Sequence, residues 1–137
     1  AHFFAAALQF SDRWRKAMSA QWNTQSPIYK QLKDRLIGMM LDGYLQPGEG
    51  IPSVRQMSAQ YQLNPLTVMR AVQELVDEQV IEKRRGLGMY MSQNARATLL
   101  ANERHACINH EWPGIVARMG RLGIDPATLL TNQKDQK

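Results

Sequence analysis

Two groups of residues have types and spacing that could do chemistry. The first lies between positions 55 and 88: Arg55, then Asn64, Leu66, Thr67 and Arg70, then Lys83-Arg84-Arg85 running into Gly86-Leu87-Gly88. Their chemistry is recognition of nucleic acid. An Asn amide suits an adenine edge, Arg suits guanine or phosphate, and Leu or the Thr methyl can meet a thymine methyl. Lys83, Arg84 and Arg85 supply charge for phosphates or the minor groove. Gly86 and Gly88 allow positive φ and a close backbone approach. The second group is Glu103, Cys107, His110 and Glu111, with His105 nearby. Thiolate, imidazole and carboxylate at helical spacing could hold a transition metal. No second Cys/His pair stands at ligand spacing, so a small apolar cysteine among surface histidines is the simpler account. No metal or cofactor is expected. Cys107 with its histidines is also the one conceivable nucleophile–base pairing, and neither a phosphate-binding Gly-rich loop nor a Glu-His metalloprotease motif occurs. An enzyme is therefore not expected.

The first group needs a scaffold, and the flanking residues supply one. Ser53 followed by Gln56 is a capping-box start, with Pro52 before it, and Val54, Met57 and Tyr61 share one helical face. Leu63 ends a short turn; Asn64-Pro65 opens a second helix as N-cap and first helical residue. Val68, Ala71, Val72, Leu75 and Val76 form its buried stripe, leaving Leu66, Met69, Arg70 and Gln73 on the opposite face. A strand over 80–83, a tip over 84–88 and a returning strand over 89–92 follow. Upstream, a helix from about Pro27 to Leu41 should bury Ile28, Leu32, Leu36 and Met39, and Asp42-Gly43 stops it. A short strand near Ile51 can pair with the hairpin, and Lys30 and Lys33 are assigned to solubility. The fold class is mainly α with a small β-hairpin: a winged helix-turn-helix plus a short helical C-terminal tail. The second helix of such a unit reads the major groove with its N-terminal side chains, and its free N–H groups attract phosphate.

At these residues the chain resembles a known family. Pro27 to Leu32, Pro47-Gly48, Ile51 to Arg55, Asn64 to Val68, Arg70 to Leu75 and Arg85 to Gly88 are similar to the GntR family of bacterial transcriptional regulators. The short tail is most similar to its YtrA-like branch. The resemblance implies that Arg55, Asn64, Leu66, Thr67, Arg70, Arg85 and Gly86 approach DNA; Arg84 joins them as a wing cation. Three departures stand out. Gln79 occupies a position where the family usually has Gly before the hairpin, so that helix should end without its preferred left-handed residue. Leu66 replaces a polar residue, and Leu87-Gly88-Met89 a more polar wing.

The 137 residues carry a formal charge of +5, spread along the chain, which favours a polyanionic partner. A single cysteine excludes an internal disulfide and suits a reducing cytoplasm. No apolar run is long enough to span a bilayer, so no membrane partner is expected. Three regions are expected: an N-terminal extension (1–24), the winged helix-turn-helix (25–92) and a helical dimerisation and effector-sensing tail (93–137). In the first, Phe3, Ala7, Phe10, Trp14 and Met18 make an amphipathic stripe. It is a poor signal peptide and reads either as a cloning-derived or upstream extension of a chain starting at Met18, or as an arm packed on its own or a neighbouring subunit. In the tail, Pro113 demands a kink or a fresh start, and Gly123 and Asp125-Pro126 mark a stop and a new cap. Leu99, Trp112, Ile115, Val116, Met119, Leu122 and Leu129 are too many apolar residues for a lone helical hairpin and are assigned to dimerisation. The alternative is that the tail folds back on its own winged helix.

The function expected is a homodimeric DNA-binding transcriptional regulator, a repressor on a palindromic operator, released by an unidentified small-molecule effector. Control of a transporter operon is implied by the resemblance alone. The alternative is a winged-helix protein-interaction module without specific DNA binding, which the basic wing counts against.

Overall fold

A computed structural model describes Trp14 and residues 21–135, with side chains through Thr131. Helix α1 (Ile28–Leu41) leads through a turn to strand β1 (Gly50–Ile51). Helices α2 (Val54–Tyr61) and α3 (Pro65–Asp77) follow, then strands β2 (Ile81–Arg84) and β3 (Gly88–Met91). Helix α4 (Ala95–Ala106), a π-helical turn (Cys107–Glu111), α5 (Trp112–Leu122) and α6 (Pro126–Asp135) complete the chain. The chain divides into two compact units between Leu99 and Leu100. Among the described residues no helix is long and apolar enough to cross a membrane.

Local signals place the helix ends. The Ser53 hydroxyl accepts from the Gln56 N–H and the Gln56 side chain accepts from the Ser53 N–H, closing the capping box. Asn64 Oδ1 accepts from the Leu66 N–H at 2.9 Å, with Pro65 at the first helical position. Helix α1 starts differently: Pro27 offers no side-chain cap. The buried Gln31 amide instead ties the helix to the preceding segment, donating to the Asn23 and Ser26 carbonyls and accepting from the Asn23 N–H. Its one buried polar side chain is thereby satisfied.

The α3 helix ends in a pair of bonds, Val80 N–H to the Leu75 carbonyl (2.9 Å) and Gln79 N–H to the Val76 carbonyl (3.0 Å). This is the Schellman arrangement, and it needs a left-handed residue. Gln79 takes that conformation itself, at φ 64°. The helix thus closes without the glycine usual at this position, and Gln79 fills the left-handed place in its stead. At the end of α5 the same two bonds close on Gly123 at φ 70°, the stop its sequence announces.

The sheet order is β1-β3-β2, all antiparallel. Pairing of Arg84 with Gly88 and Ile81 with Met91 shifts each hairpin strand by one residue from its expected bounds. Register across the pair, not local composition, decides these ends.

The core of the first unit takes Leu32, Leu36, Met39 and Met40 from α1, Met57 from α2, and Val68, Ala71, Val72 and Leu75 from α3. Each fully buried Leu, Met or Val among them contributes about 1.5–3 kcal/mol of hydrophobic free energy. Ile28 departs from the expected α1 stripe and is 38% exposed. Trp14 joins this core at 1% exposure, and the Tyr61 hydroxyl donates to its carbonyl at 3.2 Å. The rest of the N-terminal stripe, Phe3, Ala7, Phe10 and Met18, lies outside the described residues.

Lys33 is not a mere solubilising residue. Its ammonium donates to Glu78 (2.6 Å) and Glu74 (3.3 Å), clamping α1 to α3. Burial acts to lower its pKa, but hydrogen bonds and charge attraction from Glu78 and Glu74 together outweigh it and raise the value above 10.5.

Pro113 interrupts the regular helix as expected: α4 gives way to the π-helical turn and α5 starts at Trp112, without a side-chain cap of its own. Pro113 has no N–H to offer the preceding turn, and the backbone widens there, with the Trp112 N–H bonded to the Cys107 carbonyl.

Candidate nucleic-acid interface

Helix α3 presents two faces with different fates. Val68, Ala71, Val72 and Leu75 are buried, while Leu66, Met69, Arg70 and Gln73 are exposed. Arg70 does not hang free, because its guanidinium lies 3.8 Å over the Tyr29 ring from α1. Such stacking fixes the direction of the guanidinium. Gln73 donates to Asp77 (2.9 Å) and accepts from Lys83 of β2 (3.2 Å), linking the helix to the wing. Asn64 Oδ1 is engaged as the cap, so a two-bond contact with adenine would have to share that oxygen with the Leu66 N–H. Thr67 is half-buried, and Arg55 is exposed at the second position of α2.

Two grooves flank the start of α3. One, of about 310 Å³, is lined by residues including Val54, Met69, Gln73 and Lys83; the other, about 450 Å³, includes Pro27, Tyr29 and Thr67. Leu66 and Arg70 line both.

The wing turn is closed by the Leu87 N–H on the Arg84 carbonyl at 2.9 Å, with Gly86 at φ 74° in its third position. That position of the turn calls for glycine. The two wing arginines differ. Arg84 donates to Glu82 (3.1 Å) and lies 4.2 Å over the Tyr90 ring, whose hydroxyl holds the Leu87 carbonyl. Arg85 is exposed at the turn, with no ion pair to it among the described residues. Part of Arg84's charge is thus already met within the hairpin, and Arg85 is the cation left for an outside anion.

The residues assigned to the tail are separated by the structure. Trp112 (43% exposed), Ile115, Val116, Leu122 and Leu129 stand exposed, and Met119 is half-buried. Leu99 is 1% exposed in the core of the first unit, so it has no surface to give a partner and leaves the dimerisation set. A helical stripe reveals that a residue is apolar, not which unit it packs in. Glu103, Cys107 and His110 form no metal site, since among the described residues no group of three His, Cys, Asp or Glu side chains is placed to hold an ion. Cys107 is exposed, and the His105 and His110 rings meet edge to face at 5.5 Å. No local spacing in the sequence links Tyr29 and Lys33 to α3, because their partners lie some forty positions away.

A capped helix with an exposed face, braced by a second helix and followed by a basic hairpin, is matched by the model of the bacterial regulatory proteins of the gntR family over residues 28–91. Residues 28–91 are a gntR-family helix-turn-helix domain. The chain is 40% identical over 77 residues to the HTH-type transcriptional repressor YtrA of Bacillus subtilis, a match spanning 56% of this chain and 59% of that protein. It is 29% identical over 117 residues to the transcriptional regulator YhcF of the same organism, spanning 85% of this chain and 95% of that one. A GntR family regulator from Listeria monocytogenes shares the winged-helix fold at a TM-score of 0.69 and 24% identity, over 83% of this chain and 98% of that structure. These relatives are transcriptional regulators, not enzymes. The stretch that carries the helix-turn-helix is YtrA-like in sequence.

Proposed function

We propose that this chain is a sequence-specific DNA-binding repressor that works as a homodimer on a palindromic operator. The observation that carries the reading is the free surface at the start of α3, with Leu66, Met69 and Arg70 exposed and linked through Gln73 and Lys83 to a wing tipped by Arg85. In this arrangement α3 enters the major groove, and Arg55, the helix start and Arg85 with Gly86 meet the backbone or the base edges. Repression is supported by the name of the YtrA relative.

Pairing is supported by the apolar side chains of the second unit, among them Ile108 (62% exposed), Trp112 (43%), Ile115 (49%) and Leu122 (61%). Exposed apolar surface of this kind marks an interaction site, and a second copy would cover it. Two-fold symmetry then calls for half-sites about one helical turn or more apart. A small molecule bound among the tail helices would release the DNA by changing the spacing of the two α3 helices. Control of a transporter operon is part of the proposal on the strength of the YtrA-like resemblance.

The test is to capture genomic fragments on the full chain and to weigh the protein by sedimentation. A shared palindromic element in the captured fragments and a two-chain mass support the reading. A monomer with no preferred element overturns it.

A further inference from the structure

The exposed face of α3 has a chemical imbalance. Its polar members each have a partner within the protein that fixes where they point: Asn64 Oδ1 the Leu66 N–H, Arg70 the Tyr29 ring, and Gln73 both Asp77 and Lys83. The side chains left most open are apolar, Leu66 at 71% and Met69 at 52% exposure. Leu66 is the second residue of the helix, one turn before Met69 and Arg70, so the three share one face. Arg70 and Lys83 line one groove with Leu66 and Met69, and this positive charge favours a polyanion over an apolar protein partner.

In a duplex major groove the apolar group presented by the bases is the C5 methyl of thymine. A leucine can neither donate to nor accept from a base edge, and it gains nothing from a phosphate. We infer that Leu66, with Met69 beside it, reads thymine through that methyl group, and that part of the operator preference is set by apolar contact instead of hydrogen bonding. The inference rests on the proposed reading of the chain as a DNA-binding regulator and names the base feature it selects. Arg70, held over Tyr29, then supplies the neighbouring polar contact.

The experiment removes the methyl and nothing else. Duplexes enriched by the full chain from a random-sequence library are remade with each thymine replaced singly by uracil, which keeps the pairing edge and O4. At one or more thymines in each half-site the uracil duplex should bind about fourfold more weakly, the worth of one buried methyl. Leu66→Ala should abolish the thymine–uracil difference at one of those positions. Leu66→Met, which keeps an apolar reach, should retain it, and Arg70→Ala should leave it in place. Leu66 is exposed, so both variants should melt with the parent protein. Enriched duplexes whose affinity ignores every uracil overturn this inference and leave the regulator reading standing. A difference that survives Leu66→Ala also overturns it, because the methyl is then read by another side chain. Failure to enrich any sequence sinks both readings together.

Discussion

Replacing Gln79 by glycine should make the protein more stable. Gln79 sits at φ 64°, in the left-handed region, because the Schellman bonds that end α3 and aim the chain into β2 require it. An L-residue with a side chain incurs about 1–2 kcal/mol there from the clash of Cβ with the neighbouring carbonyl. Glycine avoids the clash but gains freedom in the unfolded chain, which takes back about 0.4–1 kcal/mol. The difference favours Gln79→Gly by about 0.5–1 kcal/mol, a rise in Tm of about 2–6 °C for a domain of this size. The Gln79 side chain is exposed, so no buried contact is lost with it. Gln79→Ala is the control: it keeps Cβ, keeps the strain and should leave the melting temperature close to that of the parent. Circular dichroism melts of the three full-length proteins read the effect. A glycine variant that melts no higher than the parent, or an alanine variant that gains as much, refutes the idea that strain is stored at this residue.

Arg85→Ala should weaken binding to every duplex and reduce the slope of log affinity against log salt by about one, as loss of a phosphate contact does; an unchanged slope removes Arg85 from the interface. Trp14→Ala should cost about 3–5 kcal/mol in urea unfolding, because Trp14 is buried in the core of the first unit; an unchanged midpoint would show that the helix-turn-helix does not depend on it. Lys33→Met should lose about 0.5–1 kcal/mol at neutral pH, the value of a partly solvated pair. The folded pKa of Lys33 is raised, so this stabilisation is complete below its unfolded value of 10.5 and fades as pH climbs through the folded one. The gap between parent and variant should therefore close in unfolding curves taken above that pH, and a gap that persists there assigns the effect to packing.

What could be read from the sequence was local. The Ser53–Gln56 box, the Asn64-Pro65 start and the Gly123 stop are spacings of a few residues, and each helix end formed where they fall. The α3 stripe was legible for the same reason, since one helical period separates its members. What could not be read depends on partners far along the chain. Arg70 finds its platform on Tyr29, and Lys33 reaches Glu74 and Glu78 across 41 and 45 positions. The hairpin strands moved by one residue because cross-strand pairing sets their ends. Leu99 carried the right polarity for an interface but was claimed by the core. Asn64 was read as both cap and base reader; the structure uses its oxygen for the cap.

Discrimination of one DNA sequence from others is the task proposed for the α3 face. It is tested most directly by titrating the full chain, at physiological salt, against its selected duplex and against a scrambled duplex of the same composition. The selected duplex should bind at least about a thousandfold more tightly, the lower bound typical of specific recognition. Equal affinity for the two duplexes would contradict it.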